Sequence, residues 1–380
     1  MTRLLFVSHS LPPRGRPLDN VGGIQRVAVE LMQALQNQPG VELVPLVLES
    51  AWSERHWRVP LFLARALREI PRLVRQGDVD GVLFASMVTG SLAVPLRKVL
   101  EEHGVPTAVI AYGHDVTMPL GIYQRWVPRV FASVNRVLPI SRATAEACRA
   151  RGLPDAKMNL VALGVDMSRF PQPGDRAAAR AELAATLDNV EAPLPGDALL
   201  LCCVGRQVER KGFHWFVDNV MPQLPEDVHL WLAGDGPEGP RIRAAIDTHG
   251  LHSRVRMLGR LTDSEIAQLY AGADLFIMPN VRVPGDMEGF GLVMVEAGAC
   301  GLPTIASRLE GILDVITDGC NGVLVESGDA QGFANAIERF RADPALLQSM
   351  SARTASFTRK NFSWEKLRVT GDGLWVTGNG

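Results

Sequence analysis

Two glutamates, Glu288 and Glu296, flank seven residues in the stretch Asp286-Met287-Glu288-Gly289-Phe290-Gly291-Leu292-Val293-Met294-Val295-Glu296-Ala297. A glycine-rich turn opening a helix lets backbone N–H groups approach an anion. A carboxylate in such a turn can accept hydrogen bonds from sugar hydroxyls, and one inside the helix can grip the hydroxyls of a ribose. An isolated pair of glutamates is more often one loop acid and one helix-surface acid. Gly289 and Gly291, between an apolar strand and an apolar helix, shift the balance toward a binding site.

A second stretch, Val204-Gly205-Arg206-Gln207-Val208-Glu209-Arg210-Lys211-Gly212, follows the apolar run at 198–204. When a diphosphate departs, negative charge builds on its oxygens, and either a metal ion or two fixed cations can stabilise it. Arg206 and Lys211, in one loop at the carboxyl end of a strand, suit the cationic solution. Arg210 reads as a solvated member of the same loop.

Weaker signals lie in the first half. The long loop at 11–23 ends Val21-Gly22-Gly23-Ile24, a glycine pair before a helix; Asp19 within it reads as a solvated loop residue. His114, in Tyr112-Gly113-His114-Asp115, stands just past an apolar run at 106–111, where parallel sheets bind ligands. Ser141 reads chiefly as a helix N-cap. Asp78-Val79-Asp80 resembles a metal-binding carboxylate pair but precedes a strand, so it reads as a turn facing away from the carboxyl edge. Gly234-Asp235-Gly236-Pro237 lacks the spacing of a dinucleotide fingerprint, which disfavours a dehydrogenase.

Together these segments resemble the retaining GT-B glycosyltransferases of family 4 (glycosyltransferase group 1), over about residues 1–366. The flanking text matches as well: Asp263 and Glu265, Leu269-Tyr270, Ala273-Asp274-Leu275-Phe276, Pro279, and Gly301-Leu302-Pro303-Thr304-Ile305-Ala306. Met278-Pro279-Asn280 and Gly113-His114-Asp115 are similar to bacterial phosphatidylinositol-mannosyltransferase-like and polysaccharide-building members. The resemblance implies that Glu288 and His114 hold the donor sugar, Glu296 binds ribose, and Arg206 with Lys211 clamps the diphosphate. It further implies that Gly22, Gly23, Gly289, Phe290, Gly291 and Leu292 line the donor site. The nucleotide-diphosphate sugar is then a substrate, with no further cofactor and no metal.

The elements that must position these residues read as alternating strands and helices. Apolar runs at 3–10, 41–48, 81–86, 106–111, 136–139 and 159–163, then at 198–204, 229–233, 255–258, 275–278, 303–306 and 322–325, are the expected strands. Such alternation means parallel sheets with helices on both faces. The expected fold is α/β: the GT-B fold, two doubly wound Rossmann-like domains facing across a deep cleft. Residues 1–185 form the acceptor-binding domain, 186–366 the nucleotide-sugar-binding domain, and 367–380 an atypical tail. Phe362-Ser363-Trp364-Glu365-Lys366 is present, but the glycine-rich stretch after Arg368 departs from the helix that family members use to cross back.

A chain of 380 residues with 47% hydrophobic and 21% charged residues is globular and long enough for two cores. No apolar run approaches the ~18 residues of a membrane span, and no signal-peptide layout opens the sequence. Cys148, Cys202, Cys203, Cys300 and Cys320 follow no zinc or disulfide spacing, which points to the cytoplasm. Basic residues exceed acidic ones by six through residue 185, and acidic exceed basic by eight thereafter. Residues 55–75 carry Arg58, Arg65, Arg68, Arg72 and Arg75 on one helical face, opposite Phe62, Leu63, Ala66, Leu67, Ile70, Leu73 and Val74. That helix is expected to pack on the sheet, interrupted by Pro60 and Pro71, with its arginines available to the anionic inner face of a membrane.

The function implied is retaining, metal-independent transfer of a hexose from a GDP-mannose- or UDP-glucose-type donor to a hydroxyl acceptor. The setting is glycolipid, polysaccharide or small-glycoside synthesis, with no nucleic-acid partner. The alternatives are a nucleotide-sugar epimerase on the same fold and a catalytically silent sugar-nucleotide-binding scaffold.

Overall fold

In a computed structural model of the protein, the structure describes residues 1–13, 23–171, 174–186, 194 and 198–364. The chain divides into two compact units: Met1–Val165 rejoined by Trp364, and Asp166–Ser363. Gly22, Asp19, Glu365, Lys366 and the tail beyond lie outside the described residues.

The first unit holds β1 (Thr2–Leu11), β2 (Val41–Glu49), β3 (Gly81–Phe84), β4 (Thr107–Ala111) and β5 (Arg136–Pro139). They form a parallel sheet in the order β2-β1-β3-β4-β5. Val7, Val82, Phe84, Val109 and Phe131 are buried in its core. The second unit holds β6 (Leu199–Val204), β7 (Val228–Ala233), β8 (Val255–Gly259), β9 (Leu275–Met278), β10 (Thr304–Ser307) and β11 (Gly322–Val325). Their order, again all parallel, is β11-β10-β9-β6-β7-β8. Leu201, Leu230, Ile277, Ile305, Phe216 and Phe333 pack its core. β6, β7 and β9 are buried at every residue, as covering on both faces demands.

Four expectations are corrected. Residues 159–163 form no strand; they run beside β5 through only two backbone bonds, Asn159 N to Val137 O and Val161 N to Pro139 O. Pro60 and Pro71 do not interrupt their helix, which is continuous over Arg55–Gln76. Each interior proline costs about 3 kcal/mol. The buried Phe62, Ile70 and Val74 offset that at about 1.5–3 kcal/mol apiece. Leu67, expected on the packed face, is instead 38% exposed. The boundary expected at 185/186 falls at the end of the helix Arg176–Thr186, which belongs to the second unit. There Arg180 pairs with Asp274 and donates to Gly272 O at 2.5 Å, so the division lies at Val165/Asp166.

Candidate functional site

The basic loop leaves β6 at Gly205 and closes through a 3-10 turn, Glu209–Lys211, into the helix Phe213–Asn219. Gly212 makes the closure possible: its φ is +67°, and a Cβ there would lie 1.9 Å from Pro279 O. Only glycine allows so close an approach. Val281 N donates to Arg210 O at 3.0 Å, so this loop and the chain leaving β9 are stitched together.

That stitching brings the acids to the bases. Lys211 and Glu288 are each 7% exposed, and Lys211 Nζ lies 2.6 Å from Glu288 Oε2. The same oxygen accepts from Arg210 Nη1 at 2.7 Å and from Asn280 Nδ2 at 3.2 Å. Arg210 Nε donates to Asp286 Oδ1 at 3.0 Å. The solvated role expected for Arg210 is therefore corrected: its side chain is 15% exposed and bridges two carboxylates. Arg206, in contrast, is exposed on the same loop. The structure thus gathers Lys211 with Glu288 and leaves Arg206 open to solvent.

Burial pushes the Glu288 carboxyl up, but the Lys211 and Arg210 charges and the hydrogen bonds from Lys211 and Asn280 outweigh it, holding it at about 2. Burial pulls the Lys211 ammonium down, helped by the Arg210 and Arg206 charges and resisted by Glu288. Arg210 loses to burial but gains more from Glu288 and Asp286, so its charge is secured. Glu288 is ionised at neutral pH, and Lys211 is the strained partner.

Gly291, at φ +83°, is the left-handed N-cap of the helix Leu292–Ala299 and supplies no side-chain acceptor to its first turn. Phe290 is buried, edge-on to Phe362 at 6.0 Å between centroids. Within the helix, Glu296 is 3% exposed and accepts from Tyr270 Oη at 3.3 Å. Behind the loop, Glu310 Oε2 accepts from Glu288 N at 2.6 Å, and Gly311 N donates to Glu288 O at 3.1 Å. Burial raises the Glu310 carboxyl, and the Glu288 charge adds to the shift.

In the first unit, Gly23 opens the helix Gly23–Gln36 and is exposed. His114 is the exposed first residue of a short helix after β4. The buried Asp115 beside it anchors that turn, accepting from Tyr112 N at 2.7 Å and Met87 N at 3.3 Å. Burial outweighs those bonds and lifts its carboxyl to about 7. Ser141 is the N-cap of the helix Arg142–Arg149, accepting from Thr144 N at 3.1 Å. Asp80 pairs with Arg3 at 3.0 Å at the amino end of β1, away from the carboxyl edge. Among the described residues, no three His, Cys, Asp or Glu side chains cluster as a metal set.

The profile of "Glycosyl transferases group 1" matches residues 198–343, and that of "Glycosyltransferase Family 4" matches residues 21–169. The chain belongs to this glycosyltransferase family. It is 36% identical over 181 residues to the lipopolysaccharide core biosynthesis glycosyltransferase LpsE of Rhizobium meliloti, covering 48% of this chain and 51% of that protein. The chain thus spans about half the length of its lipopolysaccharide-core relatives. It is 27% identical over 300 residues to the GDP-mannose-dependent alpha-(1-6)-phosphatidylinositol monomannoside mannosyltransferase of Mycolicibacterium smegmatis, covering 77% and 75%. Among solved structures it is similar to Anabaena HepE in complex with UDP-glucose, with a TM-score of 0.72, 20% identity and 96% of each chain covered. The two parallel-sheet domains are those of the GT-B fold.

Sequence reasoning missed Arg210, Asn280, Tyr270 and Glu310 as site members. Arg210 had a usable signal, since it adjoins Lys211 in a loop held by Gly212. Glu310 had none, because its partner is a backbone amide 22 residues away.

Proposed function

We propose that the chain is a retaining, metal-independent hexosyltransferase. It takes a sugar from a GDP-mannose- or UDP-glucose-type donor and passes it to a hydroxyl acceptor in glycolipid, polysaccharide or small-glycoside synthesis. One observation carries the reading: a buried, ionised Glu288 held by Lys211 and Arg210 beside the side-chain-free N-cap of the Glu296 helix. Lys211 and the exposed Arg206 supply charge to the diphosphate as its bond to the sugar breaks. Glu288 accepts from sugar hydroxyls, Glu296, oriented by Tyr270, accepts from the ribose, and the first-turn amides meet the anion. His114 is read as a donor-sugar contact by resemblance. The bond from C1 to the phosphate oxygen breaks while the acceptor oxygen joins C1 on the same face. The acceptor's proton passes to the departing phosphate. The similarity to mannosyl- and lipopolysaccharide-core glycosyltransferases supports this substrate class.

The chain's workplace in this reading is the cytoplasm, at the inner face of the membrane. No helix of the described residues is long and apolar enough to cross a bilayer. The helix Arg55–Gln76 exposes Arg65, Arg68, Arg72 and Arg75 together with Trp57 and Leu61, which supports peripheral contact with anionic lipid.

Thermal-shift titration with UDP, GDP, ADP and their sugar conjugates, in EDTA, tests the donor site. One diphosphate should raise the melting temperature by mass action, and Arg206→Ala and Lys211→Ala should abolish the shift. No shift from any of them refutes the donor-site reading.

A further inference from the structure

Among the described residues, Glu310 is the single non-glycine with positive φ, at +48°. Side chains other than glycine seldom occupy that region, and glycine would satisfy this backbone without strain. What glycine would not supply is an acceptor. Glu310 Oε2 accepts from the N–H of Glu288 at 2.6 Å, while the neighbouring Gly311 N–H donates to the Glu288 carbonyl at 3.1 Å. Both backbone groups of Glu288 are thus held by two consecutive residues following β10. The fit is close: a Cβ on Gly311 would lie 2.2 Å from Gly289 O. The Glu288 side chain is meanwhile held by Lys211, Arg210 and Asn280. Side chain and main chain of one carboxylate are therefore fixed from different strands, β6 and β9 on one side and β10 on the other.

We propose that Glu310 is a positioning residue for sugar transfer, setting the backbone from which Glu288 reaches the donor sugar. This rests on the reading of Glu288 as the sugar-holding carboxylate. A displacement of well under an ångström at that backbone moves the carboxylate out of register with the sugar hydroxyls. The nucleotide, bound through Arg206, Lys211 and Glu296, is unaffected.

The experiment uses the full chain with UDP-glucose and GDP-mannose as probe donors, following sugar release and transfer, affinity for UDP and GDP, and Tm. Glu310→Gly suits the backbone and removes only the acceptor. Glu310→Gln keeps an acceptor oxygen. Loss of a hydrogen bond to a charged group predicts a kcat lower by about ten- to a hundredfold in Glu310→Gly. Its diphosphate affinity stays within about twofold and its Tm close to the parent's, and Glu310→Gln restores most of the rate. A Glu310→Gly protein with the parent's kcat overturns the proposal. So does a loss shared equally between kcat, diphosphate affinity and Tm, or a Glu310→Gln protein as impaired as the glycine variant. A parent protein that turns over neither donor overturns the Glu288 reading itself, and with it this one.

Discussion

Replacing Glu288 by Gln removes the carboxylate shared by Lys211 and Arg210 and leaves both cations in a buried setting. The fall of the Glu288 carboxyl from 4.5 to about 2 corresponds to about 3 kcal/mol favouring its ionised form. Its folded value lies below its unfolded one, so that contribution is whole above about pH 4.5 and fades as pH falls toward 2. Lys211 works in the opposite sense, since its folded value is lowered and its charge costs stability at neutral pH. The net value of the pair is therefore smaller than either half suggests, and breaking it is worse than never having it. Glu288→Gln should cost about 3 kcal/mol, or roughly 6–12 °C in Tm for a unit of this size. Lys211→Met should cost less, because Arg210 and Asn280 still serve the carboxylate. The double variant should be more stable than the sum of the singles by over about 1 kcal/mol. Urea unfolding and calorimetry at pH 7 read all four proteins. A Glu288→Gln protein within 2 °C of the parent, or a cycle additive to within about 0.5 kcal/mol, refutes the picture of one anion balancing two buried cations.

Arg210→Ala should let the Glu288 carboxyl rise toward its ordinary value, moving the acid limb of the kcat profile upward in pH; an unmoved limb removes Arg210 from the site. Gly212→Ala should drive a methyl into Pro279 O and give little folded protein, checked by soluble yield and near-ultraviolet dichroism. Asp80→Ala, breaking an exposed pair at the amino end of β1, should leave turnover and Tm at the parent's values. Tyr270→Phe should raise the KM for the donor by about threefold through loss of one hydrogen bond to Glu296, with kcat nearly unchanged.

Most of the strands were legible because a parallel strand covered on both faces must be apolar throughout, as Leu199–Val204 is. The segment at 159–163 is apolar after Asn159, yet it flanks the β5 edge with too few backbone bonds to count as a strand. Composition speaks of burial, and hydrogen bonding is a separate matter. The helix with Pro60 and Pro71 shows tertiary packing overriding a local penalty. In the site, Lys211, Glu288 and Glu296 stood out because their types and spacing lie within single loops. Arg210 was misjudged because exposure depends on what the chain after β9 places over it, which no local pattern encodes. Asn280 and Glu310 serve Glu288 from other segments, and such pairings appear only once β6, β9 and β10 are side by side.

Trp364 donates its indole N–H to Glu30 at 3.0 Å, and its ring and backbone fill the space in which Gly164 has no side chain. The second unit is thus an uninterrupted stretch of chain, whereas the first is completed by a residue made 334 positions after its partner. On a ribosome adding about 5–20 residues per second, the first unit waits roughly 10–40 s between Val165 and Trp364. Throughout that interval its Gly164 face is open to chaperones and proteases, and the second unit can already be complete when the tryptophan arrives. Residues 166–363 are accordingly the piece to express by itself, and the first unit is one that needs Trp364 grafted back.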